Sequence, residues 1–180
     1  SADETEQPPT PTPIQQDALA ALAHTRCEGY LRGLVVLATG LGKTWLAAFD
    51  AQQIGARRVL FVAHREEILN QAADTFVCIR PRARVGFYMG QIRDTQVDVL
   101  CASVQTLGRN ATGRFSPQHF DYIVVDEFHH AAAPTYRRLL AQFAPQFLLG
   151  LTATPDRTDN SDILSLCADN LVFDRNLFAG

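Results

Sequence analysis

Apolar positions change their spacing several times along the chain. Ile14, Ala18, Leu19 and Leu22 recur at helical intervals on one face, and the pattern stops at Glu28-Gly29, where a helix end is expected. Continuous apolar runs of strand length follow at residues 33–38, 59–63, 97–102, 122–125 and 147–151, with a weaker one at 84–88. Between them lie helical patterns at 43–54, 66–76 and 134–143, and a short helical turn near 103–107. Strands that are apolar on both faces and alternate with helices indicate a parallel sheet covered on both sides. The predicted fold is therefore a doubly wound α/β domain with a mainly parallel sheet. Its ligands are expected beyond the carboxyl ends of the strands. Residues 1–13 are acidic, rich in Pro and Thr, and have almost nothing to bury. They read as a linker or tail ahead of a domain spanning 14–174.

Composition narrows the class. With 180 residues, 47% of them hydrophobic and 19% charged, the chain is sized and balanced for one globular domain. No apolar run approaches the ~18 residues of a membrane span, and no signal peptide opens the sequence, so a cytoplasmic protein without a membrane partner is expected. The formal charge of −3 is carried by Asp3, Glu4 and Glu6, leaving the remainder neutral. Without a general basic field, any nucleic acid must be met through a local patch. Cys27, Cys78, Cys101 and Cys167 have no close spacing, which excludes a zinc knuckle or a Cys-x-x-Cys redox pair and leaves reduced thiols. Lys43 is the only lysine in a chain that otherwise uses arginine. It stands in a Gly-Lys-Thr triplet, where a compact point charge suits phosphate.

Three segments carry candidate chemistry. The first apolar run ends in Ala38-Thr39-Gly40-Leu41-Gly42-Lys43-Thr44 and passes straight into a helical pattern. Gly40 and Gly42 permit a tight turn, so that backbone N–H groups and the helix start can cradle phosphate. Lys43 is placed for the β- and γ-phosphates and Thr44 for Mg²⁺. The strict pattern has Gly at position 37, where this chain has Leu37. The run 122–125 ends in Asp126-Glu127-Phe128-His129-His130. In a phosphate-loop protein the first carboxylate is placed to hold Mg²⁺, and the second to orient or deprotonate the attacking water. A metal cluster using the two histidines is the alternative. The run 147–151 ends in Thr152-Ala153-Thr154-Pro155, either a hydroxyl relay or a simple strand-to-loop exit.

Taken in order, ATGLGKT, VAHREE, DEFHH and LTATP resemble the first motor domain of superfamily 2 helicases and translocases of the DExH type, over nearly the whole span from Ile14 to about Asp174. The resemblance is nearest to the bacterial group of type III restriction Res subunits. It implies a RecA-like P-loop NTPase fold, ATP and Mg²⁺ as cofactors, and ATP hydrolysis coupled to movement on nucleic acid, DNA being favoured over RNA. That group typically lacks the first loop glycine, which accounts for Leu37. Residue by residue, it implies that Thr39, Gly40, Leu41, Gly42, Lys43 and Thr44 hold the nucleotide. Gln15 would read the adenine edge, with Ile14 standing where an aromatic is usual, and His129 would link the γ-phosphate to the nucleic-acid side. Lys43, Asp126 and Glu127 would be catalytic, Thr44 and Asp126 metal-holding, and Thr152 and Thr154 coupling residues. His64-Arg65 and the segment with Ser103, Gln105 and Thr106 resemble those that grip a nucleic-acid backbone. A salt-bridged Arg65 and a capping Ser103 are the local alternatives. Arg80, Arg82 and Arg84 read as a solvated turn in preference to a nucleic-acid path.

The same resemblance implies partners. A second RecA-like domain of the same polypeptide should supply arginine fingers, with residues 175–180 beginning the connection to it. Nothing after Thr154 repeats the strand–helix pattern at sufficient length. Because an arginine finger is worth roughly 10³–10⁵ in rate, this chain alone is expected to bind nucleotide and hydrolyse it slowly. The restriction group also implies a fused or associated nuclease domain. The alternative in another class is a nucleotide-gated nucleic-acid-binding or scaffold module that does not translocate.

Overall fold

A computed structural model describes residues 8–110, 113–153 and 160–175. The first helix, α1 (Pro13–Cys27), opens on a capping box. Gln15 N–H donates to Thr12 Oγ1 (3.3 Å) while Thr12 N–H donates to Gln15 Oε1 (2.9 Å). Pro13 occupies the first turn, where a missing N–H costs nothing. Two residues of the predicted tail are thus the cap and first residue of the helix.

Strands β1 (Arg32–Leu37), β2 (Val59–Ala63), β3 (Val85–Met89), β4 (Ile92–Arg93), β5 (Val99–Ser103), β6 (Tyr122–Val125), β7 (Phe147–Thr152) and β8 (Leu171–Arg175) form one sheet. Its order is β4-β3-β5-β2-β6-β7-β1-β8, and every neighbouring pair is parallel except β3 with β4. Period-two alternation divides the core. Val35, Leu37, Phe61, Val124 and Leu149 pack in one cluster with residues of α1, α2 (Lys43–Gln53) and α3 (Glu66–Ile79). Leu34, Val36, Leu60, Val125 and Leu148 pack in another with residues of α4 (Val104–Asn110), α5 (Pro134–Gln142) and α6 (Asn160–Leu166). The doubly wound expectation holds. No described helix is long and apolar enough to cross a membrane.

After Thr154 nothing repeats the strand–helix pattern at the length of a second domain among the described residues, but one short unit is present. There, α6 and β8 add an eighth strand alongside β1. Asn170 ties this unit down, its Nδ2 donating to Thr25 Oγ1 (2.8 Å) and Arg32 O (2.9 Å). The strand was hard to see because it is an edge strand whose residues are exposed or half-exposed, so it lacks a continuous apolar run. The two-residue β4 escaped for the same reason. Arg175 closes β8, so the domain reaches at least one residue past 174, while Thr154 lies outside the described residues.

One buried polar cluster fastens α1 to α2 and the sheet. Asp50 is wholly buried and receives Arg26 Nη1 and Nη2, each at 2.7 Å, together with the Tyr122 hydroxyl at 2.6 Å.

Candidate nucleotide-binding site

After β1 the chain turns through residues 38–42 into α2. Gly40 and Gly42 sit at φ +90° and +81°, in the left-handed region where a side chain is strained. Gly42 is the N-cap of α2 and supplies no side-chain cap, so the first N–H groups of the helix are left for an anion. A Cβ on Gly42 would collide with Gln15 Nε2. That amide donates to Leu41 O (3.3 Å) and Gly42 O (3.2 Å), so Gln15 is buried and fastens the loop. Both ends of the Gln15 amide are engaged within the protein. Reading an adenine edge would require it to exchange loop carbonyls for the base.

The loop borders a cleft of about 670 Å³ at the strand ends, lined by Thr39, Gly40, Gly42, Lys43, Thr44, Asp126, Glu127 and His129. Leu41, whose carbonyl takes the Gln15 bond, packs against the core instead. Ala153, just after β7, also lines the wall, as do Arg65, Trp45, Ile68, Gln71, Asp74 and Thr75. The last five had no motif to reveal them, since they reach the cleft only because α2 and α3 pack side by side. A larger depression of about 810 Å³, around Phe115 and Arg138, shares no residue with this cleft.

Across the cleft Lys43 Nζ lies 3.6 Å from Asp126 Oδ1. Asp126 follows β6 directly, its N–H donating to Val62 O (2.9 Å) and its Oδ1 accepting the Glu127 N–H (2.8 Å). Burial pushes the Asp126 carboxyl above the usual range, with Lys43 opposing that rise. Glu127 stands at φ +53°, a left-handed backbone that costs of order 1 kcal/mol or more outside glycine and clusters at functional sites. Its Oε2 lies 3.5 Å from Arg65 Nε, and its Oε1 is buried without a hydrogen-bond partner. Phe128 turns back against β7, where Gly150 leaves room for the ring. This turn, Phe128–His130, is a 3-10 helix that presents His129 to Thr152, Nδ1 to Oγ1 at 3.2 Å. Burial, then the neighbouring His130, lowers the His129 pKa and keeps the ring neutral at neutral pH. Thr152 is buried at the end of β7, and its companion Thr154 falls outside the described residues. One donor atom each from Glu127, His129 and His130 lie within 4.8 Å of one another, so the metal-cluster alternative is geometrically present. His129 Nδ1, however, is already turned to Thr152.

The residues expected along a nucleic-acid backbone divide. Ser103 is buried, and its Oγ accepts the Thr106 N–H (3.1 Å), which makes it a cap of α4. Gln105 Nε2 lies 2.7 Å from His64 Nδ1 on the same end of the sheet. Arg65 reaches into the cleft, as the salt-bridge alternative foresaw. Arg80 donates to Ala56 O (2.6 Å) and Ala51 O (3.0 Å), so it is held within the domain, while Arg84 stays largely exposed with Asp98 at 3.8 Å.

Comparison with known proteins adds relatives to this geometry. A Saccharomyces cerevisiae protein, IRC3, whose name assigns it provisionally to the ATP-dependent helicases, is 33% identical over 91% of this chain and 26% of its own. The Escherichia coli type I restriction enzyme EcoAI endonuclease subunit is 28% identical over 83% of this chain and 20% of its own. The chain therefore spans about a quarter of the length of these curated relatives. The Pyrococcus furiosus Hef helicase domain superposes with a TM-score of 0.73 at 22% identity, over 93% of this chain and 38% of that one, which shows a shared fold. The family model described as type III restriction enzyme, res subunit, matches residues 9–157, from just before α1 to beyond β7, and the chain belongs to that family.

Proposed function

We propose that this chain is the ATP-binding half of an ATP-dependent DNA helicase or translocase of the DExH type. The observation that carries the reading is the facing of Lys43 and Asp126, 3.6 Å apart, below a left-handed glycine loop and a helix start without a side-chain cap. An ammonium, a buried carboxylate and free N–H groups so arranged suit a phosphate chain bound together with a divalent cation. Thr44 and Asp126 fit Mg²⁺ as hard oxygen donors, with the carboxylate already fixed by the Glu127 N–H. The cation would neutralise charge on the β- and γ-phosphate oxygens. Lys43 binds the same oxygens from the loop side. Glu127, with one oxygen buried and unpartnered, receives the proton of the water that attacks the γ-phosphorus. His129, neutral and fixed to Thr152, connects the phosphate side of the cleft to β7.

Movement requires a second RecA-like domain closing on this cleft, joined through the chain after 175. His64, Arg65, Gln105 and Thr106 offer a small backbone-directed contact, as befits a domain of zero net charge. The restriction subunit among the relatives supports DNA as the track and a nuclease domain as an associated partner. Four free thiols suit a cytoplasmic setting. The test is ATP turnover by the full-length protein with and without DNA. Glu127→Gln should retain ATP binding and lose DNA-stimulated turnover by about 10²-fold or more. Loss of binding in parallel with rate would make Glu127 structural, and turnover indifferent to nucleic acid would contradict the motor reading.

A further inference from the structure

Arg65 touches both functions that a motor must couple. Its backbone caps α3, directly after His64, which is joined to Gln105 on α4. Its side chain lines the phosphate cleft and lies 3.5 Å from Glu127. The partners are unequally placed: the Arg65 side chain is 61% exposed, the Glu127 side chain only 13%. Among the described residues this is the one ion pair that Glu127 makes, and the second carboxylate oxygen is buried without a hydrogen-bond partner. The carboxylate best placed to serve the attacking water is therefore held by a cation that solvent, and any anion in it, can reach.

We propose that Arg65 is a positioning residue for Glu127, holding the carboxylate idle until a phosphate oxyanion takes the guanidinium and releases it. The proposal rests on the reading of the cleft as an ATP-hydrolysis site and adds its regulation. The physical case is one of competition. At 3.5 Å the contact is longer than a normal hydrogen bond, and a pair with one exposed partner is weakly held. A guanidinium offers five N–H groups in a planar fork that matches phosphate in two-point contact, which a single Nε contact does not use. Phosphate thus has the better claim on Arg65 wherever it can approach. It can arrive on a nucleic-acid backbone, passing beside His64 and Gln105, or as the γ-phosphate of a nucleotide in the same cleft. Either source exchanges a carboxylate for a phosphate on one guanidinium, with no bond made or broken.

The competition is measurable as a double-mutant cycle in the full-length protein. Wild type, Glu127→Gln, Arg65→Ala and the double variant are titrated in two arms. One uses a single-stranded oligodeoxythymidine without nucleotide, the other Mg²⁺ with the non-hydrolysed analogue AMP-PNP. Removing the competing carboxylate should tighten binding about two- to fivefold, the range of weak ion pairs, in one arm. The same substitution in the Arg65→Ala background should have no effect, and Arg65→Lys should preserve part of the coupling. Tightening in the oligonucleotide arm identifies the nucleic-acid backbone as the releasing phosphate; tightening in the nucleotide arm identifies the γ-phosphate. Equal effects of Glu127→Gln with and without Arg65, or no effect in either arm, would overturn the proposal while leaving the motor reading intact. A wild-type protein that binds neither ligand would overturn the motor reading itself.

Discussion

Replacing Arg26 by Met tests the joint that holds the phosphate-loop helix in place. Asp50 lies on α2, downstream of Lys43 and Thr44, and has no solvent exposure. Arg26 from α1 satisfies both of its oxygens, Tyr122 from β6 adds a third bond, and the guanidinium lies 5.0 Å from the centre of the Phe147 ring. Burial, and then Asp50, raises the Tyr122 pKa well above its ordinary value, so the hydroxyl stays protonated and donates to the Asp50 carboxylate. With Arg26 gone, a buried carboxylate keeps one neutral donor and no counter-charge. Breaking such a pair costs about 3–5 kcal/mol, roughly a fifth or more of the stability of a domain held by ~5–15 kcal/mol. At about 2–4 °C per kcal/mol for a chain of this size, the expected fall in Tm is roughly 6–20 °C. Thermal unfolding followed by circular dichroism at neutral pH measures it. Removing the whole set together, as Arg26→Met with Asp50→Leu and Tyr122→Phe, should recover most of the loss, because no charge is then stranded. A fall worth less than about 1 kcal/mol for Arg26→Met would show that water reaches Asp50, and the joint would be no stronger than a surface pair.

Two further substitutions probe the cleft. Asp126 has a folded pKa raised by burial against the opposition of Lys43. A raised carboxyl value contributes stability that is complete below the ordinary carboxylate pKa and is lost as pH rises through the folded value. Asp126→Asn should therefore melt higher than wild type at pH 7–8, with the gap closing toward pH 4; a gap independent of pH would contradict this. At Gly150 a Cβ would stand 2.8 Å from the Phe128 ring and 3.1 Å from Cys167 Sγ. Gly150→Ala is expected to cost about 1–3 kcal/mol and to weaken nucleotide binding by shifting the turn that carries Glu127 and His129, whereas an unchanged denaturant midpoint would show that the ring moves freely.

The parts of this molecule legible in sequence are those whose physics is local. Strands such as β2 and β6 are buried on both faces, so they appear as unbroken apolar runs with sharp ends. The glycine loop and the Asp126-Glu127 pair were visible because strand ends and a helix start fix where their side chains go. What escaped was set by long-range packing. The edge strand β8 needs β1 beside it before its half-exposed residues make a strand. Gln15 sits 27 positions from Gly42, and its hold on the loop exists only once α1 lies against it. The left-handed Glu127 has no sequence signature, since nothing about a glutamate announces φ +53°. At Arg65 and Ser103 the sequence leaves a nucleic-acid grip and a local partner both open; the structure shows the local partner, Glu127 for the one and the α4 cap for the other.

The central claim is that Lys43 and the glycine loop hold the phosphates of a nucleotide. Titration calorimetry of Mg²⁺-ATP into wild type and Lys43→Ala tests it directly, in the absence of nucleic acid. Wild type should bind, weakly if one wall of the cleft is missing. Lys43→Ala should lose at least about tenfold in affinity, the scale of a charge-assisted hydrogen bond to phosphate. Equal affinity for the two proteins would contradict the account.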